Sequence, residues 1–324
     1  MKILRKKHIF IILITILSTF NNQFVFSQCY ISDSTFKYYK ISYIITPKAD
    51  SLYHAGEYHK SIEYQLTELD STDYAVPKYI LAQNYALLEM EDSAFFYLNS
   101  YVNSPPRDFR SVYVDEDFEI LRKNKKEWNK IIAKIEDTYL QELDSSMNKE
   151  FAVKLFRLEI EDQKFGNYTH VSCRRRMPPS IQERVNRSIK VRKNYKKLVK
   201  KYGFPTLSKV GHTATISAFY ILQHSIIADK YYYMAKEAYE KGDYLPELYA
   251  LLTDRWLQQN GKTQIYGTQF SVVKNPESNI SEVVLDQVED FKNLNLRRVE
   301  LGLPSVEEYA KKMNGRIPEE YYNE

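Results

Sequence analysis

Apolar positions recur at intervals of three and four along nearly the whole chain, and strand-like alternation is scarce. That spacing predicts helices almost everywhere, because residues three and four apart share one helical face. In the first third, Ala82, Tyr85, Ala86, Ala94 and Leu98 form such a face. Phe118, Leu121, Trp128, Ile131, Ile132 and Ile135 make one stripe over 115–135. Further on, Ile181, Val185, Ile189, Leu198 and Tyr202 predict a helix beginning near Ser180. Residues 214–223 are the most apolar helix, and 232–239, 245–257, 297–303 and 306–313 read as amphipathic helices. With only 9 glycines in 324 residues, the expected class is all-α: helical hairpins, then a helical domain with one small β-hairpin.

The first helices repeat. "AGEYHKSIEY" (55–64) and "LEMEDSAFFY" (88–97) align at an offset of 33, matching Gly56 with Glu89, Ser61 with Ala94, Ile62 with Phe95 and Tyr64 with Tyr97. A helix-turn-helix period near 34 with a small residue at the crossing resembles a tetratricopeptide repeat. Such repeats present a groove for a protein partner or serve as spacers, and a two-repeat stack needs a cap, here the 115–135 stripe. The expected division is a leader over 1–27, an N-terminal segment 28–47, a repeat module 48–140, a second helical domain 150–315 and a tail 316–324. The polar stretch "DSSMNKE" (144–150) begins the crossing between modules.

Charge and targeting narrow the setting. Lys2, Arg5, Lys6 and Lys7 precede the apolar run "IFIILITILSTF" (9–20), and "VFS" ends at Ser27. This is the form of a cleaved signal peptide, too short to span a bilayer. The expectation is a periplasmic or secreted chain beginning at Gln28, with no transmembrane span. A lipid anchor on Cys29 is disfavoured, because Gln28 stands where a lipobox wants a small residue. Cys29 and Cys173 are too few for a disulfide scaffold, though they can form one bridge. No CxxC, HExxH or EF-hand pattern occurs, so neither metal nor other cofactor is expected. From Arg174 to Lys201 twelve basic residues face one acid, Glu183, although the whole chain is only +4. That face suits lipid headgroups, polysaccharide, an acidic partner or plain solvent; nucleic acid is not expected of an exported protein.

The second domain carries YGFPT (202–206), QH (Gln223, His224), LTDR (252–255), G-x-x-Q-x-YGTQ (261–269) and R-x-x-x-LGL (297–303) in that order. This series resembles a bacterial family known only as a domain of unknown function, over roughly 151–313. Its members are often exported and occur both alone and behind tetratricopeptide-like repeats. Phe204 stands where tryptophan is usual, the arginine that commonly follows Asp162-Gln163 is missing, and Val191 replaces an aspartate while Asn194 is kept. If those missing groups belong to a family active site, the resemblance implies a weakened or binding-only member.

Gly261-Lys262-Thr263 is not a phosphate loop, because the glycine required five residues earlier is Trp256. Asn260-Gly261 instead predicts a type I′ turn pairing 256–259 with 262–264, unless helix persists up to the turn. Gln264, Tyr266 and Thr268 would then point to one side and Ile265 and Gln269 to the other. In a hydrolase acting on an envelope component, His224 is the base, Asp254 orients it, and Arg255, Gln264, Tyr266 and Gln269 hold a polar substrate. The other reading is a binding module for a protein or envelope component built from the same residues, or a buried polar network that fixes the hairpin.

Overall fold

The computed structural model describes residues 47–69, 75–104, 109–141, 143–163, 180–274 and 281–322. The leader, Cys29, Cys173 and the start of the basic run lie outside them. The chain is mostly helical with one small sheet, and it forms two compact units that divide between Ile221 and Leu222. Among the described residues no helix is long and apolar enough to cross a membrane.

In the N-terminal unit, α1 (Pro47–His54), α2 (Tyr58–Leu69), α3 (Ala75–Leu87) and α4 (Glu91–Asn103) pack in sequence as two helical hairpins. Ser61 and Ala94, the small residues matched by the repeat, are both fully buried. The repeat extends to the turns. Glu57 N–H bonds Leu52 C=O and Gly56 N–H bonds Tyr53 C=O; 33 residues on, Met90 N–H bonds Tyr85 C=O and Glu89 N–H bonds Ala86 C=O. Both are Schellman caps, which need a left-handed residue after the helix. Gly56 adopts φ 80 without strain, whereas Glu89 is held at φ 58. Glu89→Gly is therefore expected to stabilise this unit by about 1 kcal/mol. The check is the urea midpoint read from Trp128 fluorescence in a Trp256→Phe background, which leaves one tryptophan.

The stripe over 115–135 is not one helix. It divides into a 3-10 turn at Glu116–Phe118, α6 (Glu119–Lys123) and α7 (Lys125–Gln141), after the short α5 (Arg110–Val114). The break falls at Asn124, whose ψ of 74 leaves the helical range. This lets Phe118 and Leu121 reach the core from one direction and Ile131 and Ile135 from another, all four buried.

Between the first helices and the turn at 115–118 lies an unforeseen polar cluster. Asp115 and Asp117 are both buried. Asp115 accepts from Tyr79 Oη (2.6 Å) and Gln83 Nε2 (2.8 Å), and Asp117 accepts from Tyr53 Oη and Gln83 Nε2 (3.2 Å). Burial, then the Asp117 charge, holds the Asp115 carboxyl well above its ordinary range. Side chains from α1 and α3 thus pin the turn that leads into α6.

The polar stretch 144–150 does not divide the units. Asn148 N–H bonds Lys209 C=O (2.7 Å), and α8 (Lys149–Gln163) packs on α5, α7 and α9 (Ile181–Tyr202). Helix α9 starts at a capping box of Ser180 and Glu183, as the pattern from Ser180 predicts. Its buried stripe is Val191, Tyr195 and Val199 rather than the expected one, and Ile189 is 53% exposed. The apolar helix α10 (Leu207–Gln223) is kinked at Gly211 and carries the chain from one unit into the other.

The C-terminal unit begins at Leu222. Helices α11 (Asp229–Glu240) and α12 (Pro246–Gln259) form a hairpin, along which Tyr232 stacks on Trp256 (4.0 Å) and Tyr239 on Tyr249 (4.3 Å). Strand β1 (Phe270–Lys274) pairs antiparallel with β2 (Ser281–Leu285), and β3 (Gly315–Arg316) lies parallel to β2. Between β2 and β3 come α13 (Leu294–Glu300) and α14 (Val306–Lys312). Leu285, Val288, Leu294 and Val306 form a buried core with Phe270, Phe291, Ile317 and Tyr321 packed against it.

Candidate functional site

The Asn260-Gly261 dipeptide does not turn a hairpin. Helix α12 runs up to it, Gly261 sits at φ 69, and Lys262 N–H bonds Leu257 C=O while Gly261 N–H bonds Gln258 C=O. This is a Schellman cap. A type I′ turn and a helix cap both want a residue that tolerates positive φ, and the long apolar periodicity of α12 decides between them. Residues 264–269 are consequently not a strand. Their one ladder contact is a bridge between Gln264 and Val288, and the hairpin of this unit is formed by 270–274 and 281–285.

What shapes 264–269 is a set of side chains bonding its backbone. Asp254, fully buried on α12, accepts from Ile265 N–H (2.8 Å), Tyr266 N–H (3.0 Å), Thr268 N–H (2.9 Å) and Thr268 Oγ1 (2.8 Å). Burial pushes this carboxyl's pKa up, and the bonds from the loop oppose that rise. The carbonyls are taken from the other side. Arg297 Nε donates to Ile265 O (2.8 Å), and Arg298 Nη1 donates to Tyr266 O (2.5 Å). Arg298 is 1% exposed, with its guanidinium over the Tyr309 ring (4.9 Å). The Gln264 amide closes the loop: it accepts from Gln269 N–H (2.9 Å) and donates to Gln269 O (3.0 Å) and Asp286 O (2.8 Å). Three of the sequence motifs, LTDR, YGTQ and R-x-x-x-LGL, meet in this clamp.

Of the six candidate residues, Asp254, Arg255, Gln264, Tyr266 and Gln269 come together around the loop. Arg255 bridges outward: Nη1 donates to Gln223 O (2.8 Å) and Nη2 to Gln269 Oε1 (3.0 Å). Burial lowers the Arg255 pKa to about 10. The half-buried Tyr266 turns its ring edge to Tyr249 (6.2 Å), and burial raises its hydroxyl's pKa. His224, half-buried, lies in the turn that ends α10. It does not meet Asp254, whose hydrogen bonds all go to residues 265–268. The geometry therefore supplies no carboxylate-oriented histidine at this carboxylate.

Sequence reasoning passed over Gln223, Arg297, Arg298 and Tyr309. Gln223 is 2% exposed, and its Nε2 has no hydrogen-bond partner. The signal for the arginines was the Arg-Arg pair ahead of the LGL turn. Nothing local foretold that they would bond carbonyls some thirty residues away. Among the described residues no group of three or more His, Cys, Asp or Glu side chains could hold a metal ion.

Residues 183–317 match the model of a family described as of unknown function (DUF6624). The match is less than half of the chain and includes every candidate site residue. No curated protein and no solved structure matches the chain.

Proposed function

We propose that the chain is an exported recognition protein: a short tetratricopeptide-like adaptor precedes a domain that binds an oxygen-rich component of the cell envelope without hydrolysing it. The observation that carries this reading is the orphan donor of Gln223. A buried amide N–H with no partner costs about 1–3 kcal/mol, and a ligand oxygen placed at the end of α10 would satisfy it. The Gln223 backbone carbonyl anchors Arg255, and His224 is the next residue, so a guanidinium, an amide and an imidazole are carried at or near the end of α10. A ligand bearing carboxylate, carbonyl or hydroxyl oxygens suits that set. The hydrolase alternative is weaker because Asp254, its orienting group, is committed to the loop backbone. The adaptor reading draws support from the paired caps at Gly56 and Glu89 and the buried small residues Ser61 and Ala94.

The test is affinity capture from envelope extracts with wild type and Gln223→Met. Removing a buried orphan donor is expected to raise the unfolding free energy by about 1 kcal/mol and to reduce capture about tenfold. Undiminished capture by a stabilised Gln223→Met protein would assign the amide a purely structural place and defeat the proposal. So would a His224→Ala/Gln264→Ala variant that captures normally but has lost a hydrolytic activity of the wild type.

A further inference from the structure

Helix α9 has a second face that the recognition site does not use. Lys190, Lys193, Lys196, Lys197, Lys200 and Lys201 are all exposed. At 100° per residue they fall within an arc of about 140°, opposite the buried stripe Val191, Tyr195 and Val199. From 190 to 201 the array runs about 16 Å along the axis. Lys201 approaches Glu150 (3.7 Å) and bonds Tyr202 Oη (2.6 Å). Lys190, Lys193, Lys196, Lys197 and Lys200 form no ion pair with any described residue.

This arrangement works against the helix. Lys193–Lys197, Lys196–Lys200 and Lys197–Lys201 are i,i+4 pairs of like charge, each of which weakens a helix. Position near the C-terminus favours Lys200 and Lys201 through the helix dipole, but not Lys190 or Lys193. The acids of α8 that reach α9 meet other positions: Glu161 pairs with Arg187 (3.0 Å), and Glu150 approaches only Lys201 at the end of the array.

We propose that this face of α9 docks on a membrane surface rich in anionic phospholipid. Three features favour lipid over other polyanions. All six groups are lysines, hydrated point charges without the planar fork that reads a fixed phosphate or carboxylate, so they fit a fluid array of headgroups. No aromatic side chain is exposed among them, and single-stranded nucleic acid is held by stacking on such side chains. Ile189, 53% exposed, lies inside the lysine arc, where an apolar side chain can enter the headgroup boundary. The proposal concerns the N-terminal unit and is independent of the Gln223 site.

The experiment is vesicle co-sedimentation of the purified chain from Gln28 onward, which keeps every described residue. It compares phosphatidylcholine vesicles with vesicles in which about one quarter of the lipid is phosphatidylglycerol. Wild type is expected to bind only the anionic vesicles and to be released between ~50 and ~500 mM salt. Lys193→Gln/Lys197→Gln/Lys200→Gln should lower the partition coefficient about a hundredfold. A charge-matched control on exposed residues, Lys123→Gln/Lys125→Gln/Lys126→Gln, should lower it less than about threefold, and Ile189→Ser several-fold. Circular dichroism verifies the fold of each variant. Equal losses in both triple variants, no binding to anionic vesicles, or tighter binding to soluble dextran sulfate at equal charge concentration would each overturn the proposal. The last would assign the face to a soluble polyanion.

Discussion

Asp254→Ala is expected to lose about 5 kcal/mol of stability, on the order of the whole folding free energy of a small domain. The carboxylate accepts three backbone N–H groups and one hydroxyl in a fully buried position. Alanine leaves those donors without acceptors, and each buried orphan costs about 1–3 kcal/mol. Asp254→Asn keeps one accepting oxygen but turns an NH2 group toward the same donors, so it should lose about half as much. In a Trp128→Phe background the remaining Trp256 lies two residues from Asp254 on α12 and reports this unit alone. Hydrogen exchange at residues 265, 266 and 268 provides the local readout. Unchanged protection there, with a loss below about 1 kcal/mol, would show that other contacts hold the loop.

The second large effect concerns pH. The Asp115 carboxyl is raised from 3.8 to about 7 by burial and by Asp117, with Tyr79, the Asp117 N–H and Arg122 partly opposing the rise. A group bound more tightly to its proton in the folded state favours folding below its unfolded pKa, and that contribution is lost as pH climbs to its folded pKa. The N-terminal unit should therefore be less stable at pH 8 than at pH 5, by on the order of 2–3 kcal/mol. The facing groups are Tyr53 from α1, Tyr79 and Gln83 from α3, Asp117 from the turn and Arg122 from α6. Asp117→Asn removes the neighbouring charge but leaves the burial that is the larger cause, so it should shrink the difference only in part. The measurement is urea unfolding at the two pH values, followed through Trp128 in a Trp256→Phe background. Wild-type stability that is flat or rises toward pH 8 would contradict the assignment.

Helices were readable because their signals are local and repeated. The caps at Gly56 and Glu89 follow the offset of 33, and Ser180 with Glu183 marks the start of α9. The failures have a common cause. Asn260-Gly261 encodes positive φ without saying whether a strand or a helix precedes it. The five-residue strands 270–274 and 281–285 offer too few positions for alternation to register. The segment 115–135 read only as an apolar stripe, and nothing adjacent reveals that Asp115 and Asp117 face Tyr53, Tyr79 and Gln83. The candidate site was legible as a set of motifs. The division of labour within it was not, because Asp254 and Arg255 are neighbours in sequence with separate partners.

The clamp on residues 264–269 also bears on how the protein could be altered. Asp254, Arg297 and Arg298 grip the peptide groups of Ile265 and Tyr266 and make no hydrogen bond to their side chains. The path of the chain through these two positions is thus set independently of what they display. Gly267 is excluded from such freedom, since an added Cβ would lie 3.1 Å from Leu294 Cδ2 at φ +63. Positions 265 and 266 form a fixed frame with an exchangeable display, where substitutions are expected to be accepted without rebuilding the backbone path.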